Sequence, residues 1–215
     1  ALVAGITEAA SSGTGNLSDT LTYTTGSPIV VTYVVTSTAN SCSNPQNVVV
    51  TVNPIPVITP QANISVCTGD SVGPITFSAS TGGGETFTWT NSNASIGLAA
   101  AGSGNIAAFT SPSNTTNADF VGSVVVTASK ASCTSATMSF TITVKPKPVV
   151  ASTLNVSRCS GAAYGISLAT DGVSIGASNY DVTATVQVGL TGTATTGVAL
   201  AAGAFLTDVF TNKTA

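Results

Sequence analysis

The sequence predicts an all-β protein made of tandem β-sandwich modules in an extended array. Segments rich in β-branched and aromatic residues recur along its 215 residues, and Gly, Pro, Asn or Ser separates them at short intervals. This pattern is typical of short strands joined by turns. No segment carries a sustained apolar stripe of period 3.6 with helix caps. A long internal repeat adds the prediction that whole domains follow one another.

The repeat is marked by cysteines. Twice in the chain a Ser-Cys pair leads into a β-branched run and a Pro-x-Pro, and a second apolar run then ends in Cys with Gly two residues later. The first cysteine of each unit recurs after 91 residues (Cys42 and Cys133), and the second after 92 (Cys67 and Cys159). Two markers with nearly the same spacing indicate modules of roughly 90 residues.

Each predicted strand alternates apolar and polar residues and is bounded by turn residues. A module of this size with about seven such strands is typical of an immunoglobulin-like sandwich. The alanine-rich segment 96–109 has no polar face, and we expect an irregular crossover there. The predicted strands are 27–37, 46–53, 74–80, 85–91, 123–129 and 138–144.

Prolines mark the predicted joints. Pro54, Pro56, Pro146 and Pro148 form two Pro-x-Pro segments, which stay extended and donate no backbone hydrogen bonds from their prolines. The resulting segments are the end of one module (1–56), a complete module (57–147) and the beginning of a further module (148–215).

A second repeat relates the two outer segments. Residues 17–26 match 206–215 without gaps, and residues 4–13 resemble 188–197. Because the middle segment has no good counterpart, we expect two alternating module subtypes and a chain cut from a longer array. Incomplete sandwiches expose unpaired edges. We therefore expect a longer native polymer, or completion of the last segment by strands like 27–53 of a neighbouring copy.

The predicted core of segment 57–147 contains Phe77, Trp89, Val125 and Phe140. Trp89 is the only tryptophan, and its alternative role is an exposed platform that stacks on carbohydrate. A ring flanked by Phe87 on its own face is far more often part of a core.

Composition excludes several classes of function. Charged residues are 6% of the chain and the net charge is −3, so no basic face is available for nucleic acid or anionic lipid. No apolar run reaches the eighteen residues of a membrane span. The chain is 43% apolar, which is enough to build cores and argues against disorder.

Catalytic chemistry is not predicted. The chain contains no histidine, the commonest general base and metal ligand. Its eight acidic residues are scattered singly, whereas paired-carboxylate chemistry or a calcium site needs several oxygens close together. The nearest approach to a calcium loop, 114–119, has one carboxylate and favours a hydrogen-bonded turn. We therefore expect no enzyme activity, no cofactor and no metal site.

The four cysteines indicate an oxidising compartment. A bridge within one module, Cys67 to Cys133, would close a 66-residue loop and stabilise the fold by up to about 4 kcal/mol. The predicted strand order instead places these two residues at opposite ends of the sandwich, which favours bridges between modules. Both arrangements stay open, and Cys42 and Cys159 would pair with partners outside this chain.

Several stretches carry a family resemblance. "VCTGDSVGPITFSAS", "FTWTNSNASIGLAAAGSGNIAAFT" and "SFTITVKPKP" resemble the PKD-like, immunoglobulin-like repeats of giant secreted surface proteins of Bacteroidetes-type bacteria. "LSDTLTYTTGSPIVVTYVVTSTANSC" resembles the companion subtype of these repeats. The resemblance covers essentially the whole chain.

The resemblance implies export by the type IX secretion system and display at the cell surface, as in gliding-motility adhesins. Asp19-Thr20-Leu21 and Asp70-Ser71-Val72 also resemble the sites at which such bacteria O-glycosylate exported proteins, with Thr20 and Ser71 as acceptors. An ordinary turn in which Asp bonds its own backbone is the alternative.

The expected function is a mechanical spacer in the stalk of a secreted surface adhesin or filament. Its partners would be neighbouring repeats or adjacent copies, with no nucleic acid and no membrane insertion. Two alternatives remain, a glycan-binding sandwich module that contacts surface glycans and spacer repeats of an exported multidomain hydrolase.

Overall fold

The computed structural model describes residues 26–213, together with Gly13, Thr20 and Leu21. The described residues form an all-β structure with several sheets and two short 3₁₀ helices. Most residues of the predicted repeats 4–13 and 17–26 lie outside the described residues, as does most of the first half of segment 1–56. The strands are β1 (Ile29–Ala39), β2 (Cys42–Val52), β3 (Ile64–Cys67), β4 (Ser71–Val72), β5 (Thr86–Asn91), β6 (Ala101–Ser103), β7 (Phe109–Thr110), β8 (Phe120–Lys130), β9 (Cys133–Thr134), β10 (Met138–Lys145), β11 (Tyr180–Val182), β12 (Leu190–Thr191), β13 (Gly197–Leu200) and β14 (Thr211–Asn212), and the 3₁₀ helices are Ala94–Ile96 and Ser152–Leu154.

Strands β1 and β2 form a long antiparallel hairpin that pairs with no other strand of the described chain. Its two turn residues, Asn40 and Ser41, have φ values of 49° and 70°, positive at both positions as in a type I′ turn. The same two-residue turn joins β8 to β9, where Ala131 and Ser132 have φ values of 48° and 66°. Each repeated Ser-Cys pair therefore marks the tip of a hairpin.

The main sheet lies in the middle of the chain and has the order β3-β10-β8-β5-β6. Strand β3 runs parallel to β10, and the other pairs are antiparallel. Strand β9 pairs antiparallel with the last two residues of β8. The hairpin formed by β8, β9 and β10 therefore supplies the centre of this sheet.

A second, smaller layer faces the main sheet. It consists of the β4–β7 pair and two single bridges, Ile58 to Ala79 and Ile75 to Ile106. One continuous apolar core separates the layers, which is consistent with a β-sandwich. The buried core residues are Ile58, Val72, Ile75, Phe77, Phe87, Trp89, Ile96, Leu98, Ile106, Val124, Val126, Ala128, Phe140, Ile142 and Val144.

Three of the four predicted core residues, Phe77, Trp89 and Phe140, are buried in this core. The prediction for Val125 was wrong, because its side chain is half-buried on the other face of β8. Val124 and Val126 point into the core and are 0% exposed. Successive strand residues face opposite sides, so an uninterrupted run of three valines does not reveal which of them point inward.

The crossover after β5 contains a short strand that the sequence did not predict. Strand β6 pairs antiparallel with β5, and Gly102 lies opposite Trp89. Its sequence, Ala-Gly-Ser, has low strand propensity. A glycine here lets the backbone of β6 lie close to the indole ring of Trp89.

We expect Gly102→Ala to lower the free energy of unfolding of this sandwich by about 1–3 kcal/mol, the usual cost of overpacking. A Cβ at this position would overlap Cζ2 of Trp89 and lie 2.7 Å from its Cε2. Urea denaturation followed by the fluorescence of Trp89 measures the change. The control is Gly176→Ala, where a Cβ meets nothing within 4 Å. Equal midpoints for Gly102→Ala and the unmodified chain would contradict the prediction.

The segment 148–213 is more sparsely packed. Its strands form two small pairs, β11 with β13 and β12 with β14, and three single bridges. Among its described residues only Phe210 and Ser174 are buried. Many of its valines and leucines are exposed, in contrast to the closed core of the middle segment.

Candidate functional site

Titratable side chains in the described residues serve turns and a surface ion pair. Asp70 Oδ2 accepts a hydrogen bond from the Cys67 backbone N (3.0 Å). Asp119 and Lys145 form an ion pair at 2.6 Å. No group of three or more His, Cys, Asp or Glu side chains that could hold a metal ion occurs in this part of the chain.

Two carboxyl groups have a lowered pKa. At Asp171 the chief cause is the hydrogen bond from the Ser174 backbone N (2.7 Å), followed by bonds from the Ser174 hydroxyl and from Val173 N. At Glu85 the chief cause of the lowered pKa is the hydrogen bond from the Thr81 hydroxyl. Each set of donors favours the charged carboxylate and closes a loop. These groups therefore have a structural role.

The same hydrogen bonds recur where the middle and last segments begin. Ser80 N donates to Val57 O (3.0 Å), and Asp171 N donates to Val149 O (2.9 Å). In the reverse direction, Val57 N donates to Ser80 Oγ (3.1 Å), and Val149 N donates to Ser174 Oγ (2.9 Å). The backbone bond thus recurs at corresponding residues, and a serine hydroxyl also holds the chain after each Pro-x-Pro, from Ser80 in the middle segment and from Ser174 in the last.

The backbone hydrogen bonds and strand bridges inside the middle segment have counterparts inside segment 148–213. Gly69 N donates to Ser111 O (3.3 Å), and Gly161 N donates to Phe210 O (2.9 Å). The strand pairing of 148–213 therefore follows that of 57–111, with corresponding residues 91 or 92 positions apart up to Ala79 and 99 positions apart from Ile106 onward. The corresponding bridges are Ile58–Ala79 with Val150–Thr170, Ile75–Ile106 with Ile166–Phe205, and Ser71–Thr110 with Ala163–Val209.

The two proline joints differ in burial. Pro54 and Pro56 are fully buried, whereas Pro146 is half-buried and Pro148 is exposed. At the first joint the tip of the β8–β9 hairpin is close, with Cys133 Sγ 3.8 Å from Asn53 O. Within the described residues, segment 148–213 has no hairpin of this kind to approach the second joint.

All four cysteines are free thiols, and Cys42, Cys67 and Cys159 are exposed. The positions of Cys67 and Cys133 in the main sheet do not fit the bridge within the middle segment. Cys67 pairs with Lys145 at one end of the main sheet, and Cys133 pairs with the last residue of β8 at the other end. The eleven residues of β8 span about 33 Å, while a disulfide needs Cα atoms within about 7 Å.

The two candidate glycosylation residues, Thr20 and Ser71, are both exposed. Ser71 is the first residue of β4 and follows the turn in which Asp70 N donates to Cys67 O (3.1 Å). Asp70 thus has the ordinary turn role considered above, and the Ser71 side chain stays accessible. Asp19, which precedes Thr20, lies outside the described residues.

Trp89 does not form an exposed platform. The residue is 8% exposed, and its ring lies against Gly102. Its Nε1 is buried and has no hydrogen-bond partner among the described residues. Trp89 is therefore part of the packed core, and its buried ring is not available to stack on a carbohydrate.

A cavity of about 290 Å³ lies in segment 148–213. Tyr164 and Phe210 stack in its wall with ring centroids 5.4 Å apart. Sequence reasoning missed this cavity, because residues from distant parts of the chain form its wall. The other apolar lining residues include Ile166, Val182, Val186, Leu190 and Phe205.

A scan against models of protein families finds no match to the chain, and a search of curated proteins finds no similar sequence. Neither of the two helices in the described residues has the length and apolar character needed to cross a membrane.

Proposed function

We propose that this chain is part of the structural stalk of a secreted bacterial surface adhesin or filament, in which tandem immunoglobulin-like modules act as mechanical spacers. The observation that carries the proposal is the recurrence of the same backbone hydrogen bonds after each proline joint. Ser80 N to Val57 O and Asp171 N to Val149 O have donors and acceptors 91 and 92 residues apart. Repeated modules in series give length without any need for a reactive site.

The strand order supports the immunoglobulin-like class. Strands β5, β8 and β10 are neighbours in one sheet, as strands C, F and G are in that fold, and β4 pairs with β7 in the facing layer, as B pairs with E. On this assignment, β11 to β14 and the bridges around them belong to the first part of a further module. Hairpin β1–β2 belongs to the last part of a preceding module.

The positions of the chain ends within the middle segment support a spacer. The chain reaches this segment beside Cys133, where Asn53 lies, and leaves it beside Cys67, where β10 ends at Lys145. These points are at opposite ends of the main sheet. Modules that are connected at opposite ends extend an array, because each joint adds the length of one sandwich.

Surface location and O-glycosylation belong to the same proposal. The accessible side chains of Ser71 and Thr20 are compatible with modification after export. Native material would then carry extra mass on one of these residues, which peptide mass spectrometry detects.

Antibodies raised against the folded chain test the stalk proposal. We expect them to label intact cells of the source organism, and brief external protease treatment should remove the label. An in-frame deletion of 57–147 in the native gene should shorten the distance from the cell envelope to the adhesin tip by about one sandwich length, roughly 30–40 Å for strands of this size. Labelling only after the cells are permeabilised would exclude surface display, and an unchanged distance would exclude the spacer role.

A further inference from the structure

We propose that one recurring pair of loops holds successive segments of this chain in a fixed relative orientation. The first member, here called the outgoing loop, precedes the strand that leads to each hairpin tip and comprises 26–28 before β1 and 111–119 before β8. The second member, here called the receiving loop, comprises 80–85 in the middle segment and 171–176 in the last. The inference goes beyond a spacer role, because length alone does not require a fixed orientation.

The contact is most explicit at the second proline joint. Ile175 N, in the receiving loop of the last segment, donates to Thr116 O in the outgoing loop of the middle segment (3.1 Å). Lys147 N, between the two prolines of the joint, donates to Asn114 O in the same outgoing loop (3.0 Å). The outgoing loop 111–119 therefore binds both the joint and the segment that follows it.

The corresponding loops also meet at the first joint. A Cβ on Gly26 would lie 2.9 Å from Ser80 O, so the backbone of the outgoing loop lies against the receiving loop of the middle segment. At the 91-residue spacing of Cys42 and Cys133, Gly26 corresponds to Asn117, the neighbour of Thr116. The Thr-Thr pair at 115–116 also recurs in the sequence at 24–25. Both joints thus bring the same two loops together, although the burial of their prolines differs.

Both receiving loops are held rigidly by hydrogen bonds of their own. Each contains a hydroxyl residue that is 5% exposed, Thr81 in one and Ser174 in the other. Thr81 donates to the carboxylate of Glu85, and Lys130 Nζ donates to Thr81 O (2.8 Å). The Ser174 hydroxyl donates to Asp171 Oδ1 (2.7 Å). Hydrogen bonds to a charged carboxylate are among the stronger ones, so each loop presents a defined surface.

The outgoing loop of the middle segment is equally well held. Asn114 is 0% exposed, and its Nδ2 donates to Ala118 O (2.8 Å) and to Val144 O in the main sheet (3.1 Å). The Thr116 hydroxyl donates to Asn114 Oδ1 (2.7 Å). The carbonyl of Thr116 that receives the next segment is therefore fixed relative to the middle sandwich.

A second point of attachment changes what a joint can do. Linked domains are expected to move relative to one another, and a Pro-x-Pro segment by itself permits such motion about its ends. The two loops are connected through a short joint, so they meet at a high effective concentration and a small contact stays formed. Two separated attachment points remove the swing that one joint allows. The array should therefore resist bending at each joint.

Distance measurements on spin-labelled full chains test the second joint. The labels are placed on Cys67 and Cys159, which are both exposed and lie on either side of this joint, and the other two cysteines are replaced by serine. We expect double electron–electron resonance to give a single narrow distance distribution. A broad distribution in this otherwise unmodified chain would overturn the proposal.

Two variants remove single hydrogen bonds across the second joint. Ile175→Pro removes the donor to Thr116 O, and Lys147→Pro removes the donor to Asn114 O while the joint stays extended. Each should broaden the Cys67–Cys159 distribution. The control is Gly176→Ala, where a Cβ meets nothing within 4 Å, and it should leave the distribution unchanged.

Amide exchange at Leu168 shows whether the last segment stays folded in these variants, because Leu168 N donates to Ala202 O within that segment (2.7 Å). Protected Leu168 with a distribution as narrow as that of the control in both variants would refute the role of the loop pair. Loss of Leu168 protection in Ile175→Pro would leave Lys147→Pro as the deciding variant.

The first joint is tested by adding bulk where the two loops meet. The labels are placed on Cys42 and on Thr88→Cys, an exposed position of β5, with the other cysteines replaced by serine. Gly26→Val should shift and broaden the distance distribution, because its side chain would overlap Ser80 O. The matched control is Gly13→Val, where a Cβ meets nothing within 4 Å.

Identical distributions for Gly26→Val and Gly13→Val would contradict the loop contact at the first joint. Such a result would leave the spacer proposal in place, since flexibly linked modules in series still add length. Failure of surface labelling would in turn leave the fixed orientation untouched. The two proposals are therefore tested separately.

Discussion

Phe140→Ala is expected to lower the free energy of unfolding of the middle sandwich by about 3–5 kcal/mol, the usual cost of removing a buried phenylalanine. Phe140 is 2% exposed and lies in β10, between β3 and β8 in the main sheet. Its ring centroid is 6.4 Å from that of Phe77 in the facing layer. The substitution therefore opens a cavity between the two layers. Because single domains have a total stability of about 5–15 kcal/mol, much of the molecule should unfold at modest urea concentrations.

The measurement is urea denaturation followed by the fluorescence of Trp89, the only tryptophan in the chain. The control is Ser139→Ala, at the exposed position before Phe140 on the same strand, and it should change stability by less than about 0.5 kcal/mol. A Phe140→Ala chain with the stability of the Ser139→Ala chain would show that the two layers do not share this core.

Asn114→Ala is expected to lower the free energy of unfolding by about 3 kcal/mol, because it leaves several buried polar groups without partners. Asn114 is 0% exposed. Its Nδ2 donates to Ala118 O (2.8 Å) and to Val144 O (3.1 Å). Its Oδ1 accepts from Thr116 N (3.2 Å) and from the Thr116 hydroxyl (2.7 Å). The side-chain amide of Asn114 thus joins the loop before β8 to strand β10.

The matched control is Asn117→Ala, because Asn117 lies in the same loop and is exposed. In urea denaturation, the free energies of unfolding of the two variants should differ by at least about 2 kcal/mol. Amide hydrogen exchange at Thr116 should become faster only in Asn114→Ala. Equal stability of the two variants would mean that water replaces the lost hydrogen bonds at no cost.

Local patterns in the sequence predicted the class of structure. Strand alternation identified an all-β chain, and the burial of Phe77, Trp89 and Phe140 followed from their size and their place in alternating segments. The turn interpretation of 114–119 was likewise correct, since Asn114 bonds Thr116 and Ala118 within the loop. These features depend on residues that are neighbours in the chain, so they can be read from sequence.

Other features depend on contacts between distant residues. Strand β6 exists because its Gly102 fits against Trp89 on β5, and an Ala-Gly-Ser segment shows no such pairing by itself. The cavity near Phe210 arises where several short strands meet. Its wall comes from parts of the chain that are more than forty residues apart, which is why no local pattern predicted it.

By itself the sequence determined the all-β class, the spacing of the cysteines and the positions of the Pro-x-Pro segments. Only the tertiary structure decided that Val124 and Val126 face the core while Val125 does not, because a run of valines gives no alternation to set the register. Only the tertiary structure decided that Cys133 lies beside Asn53 at the first proline joint, because the two residues are 80 positions apart in the chain and no local pattern relates them.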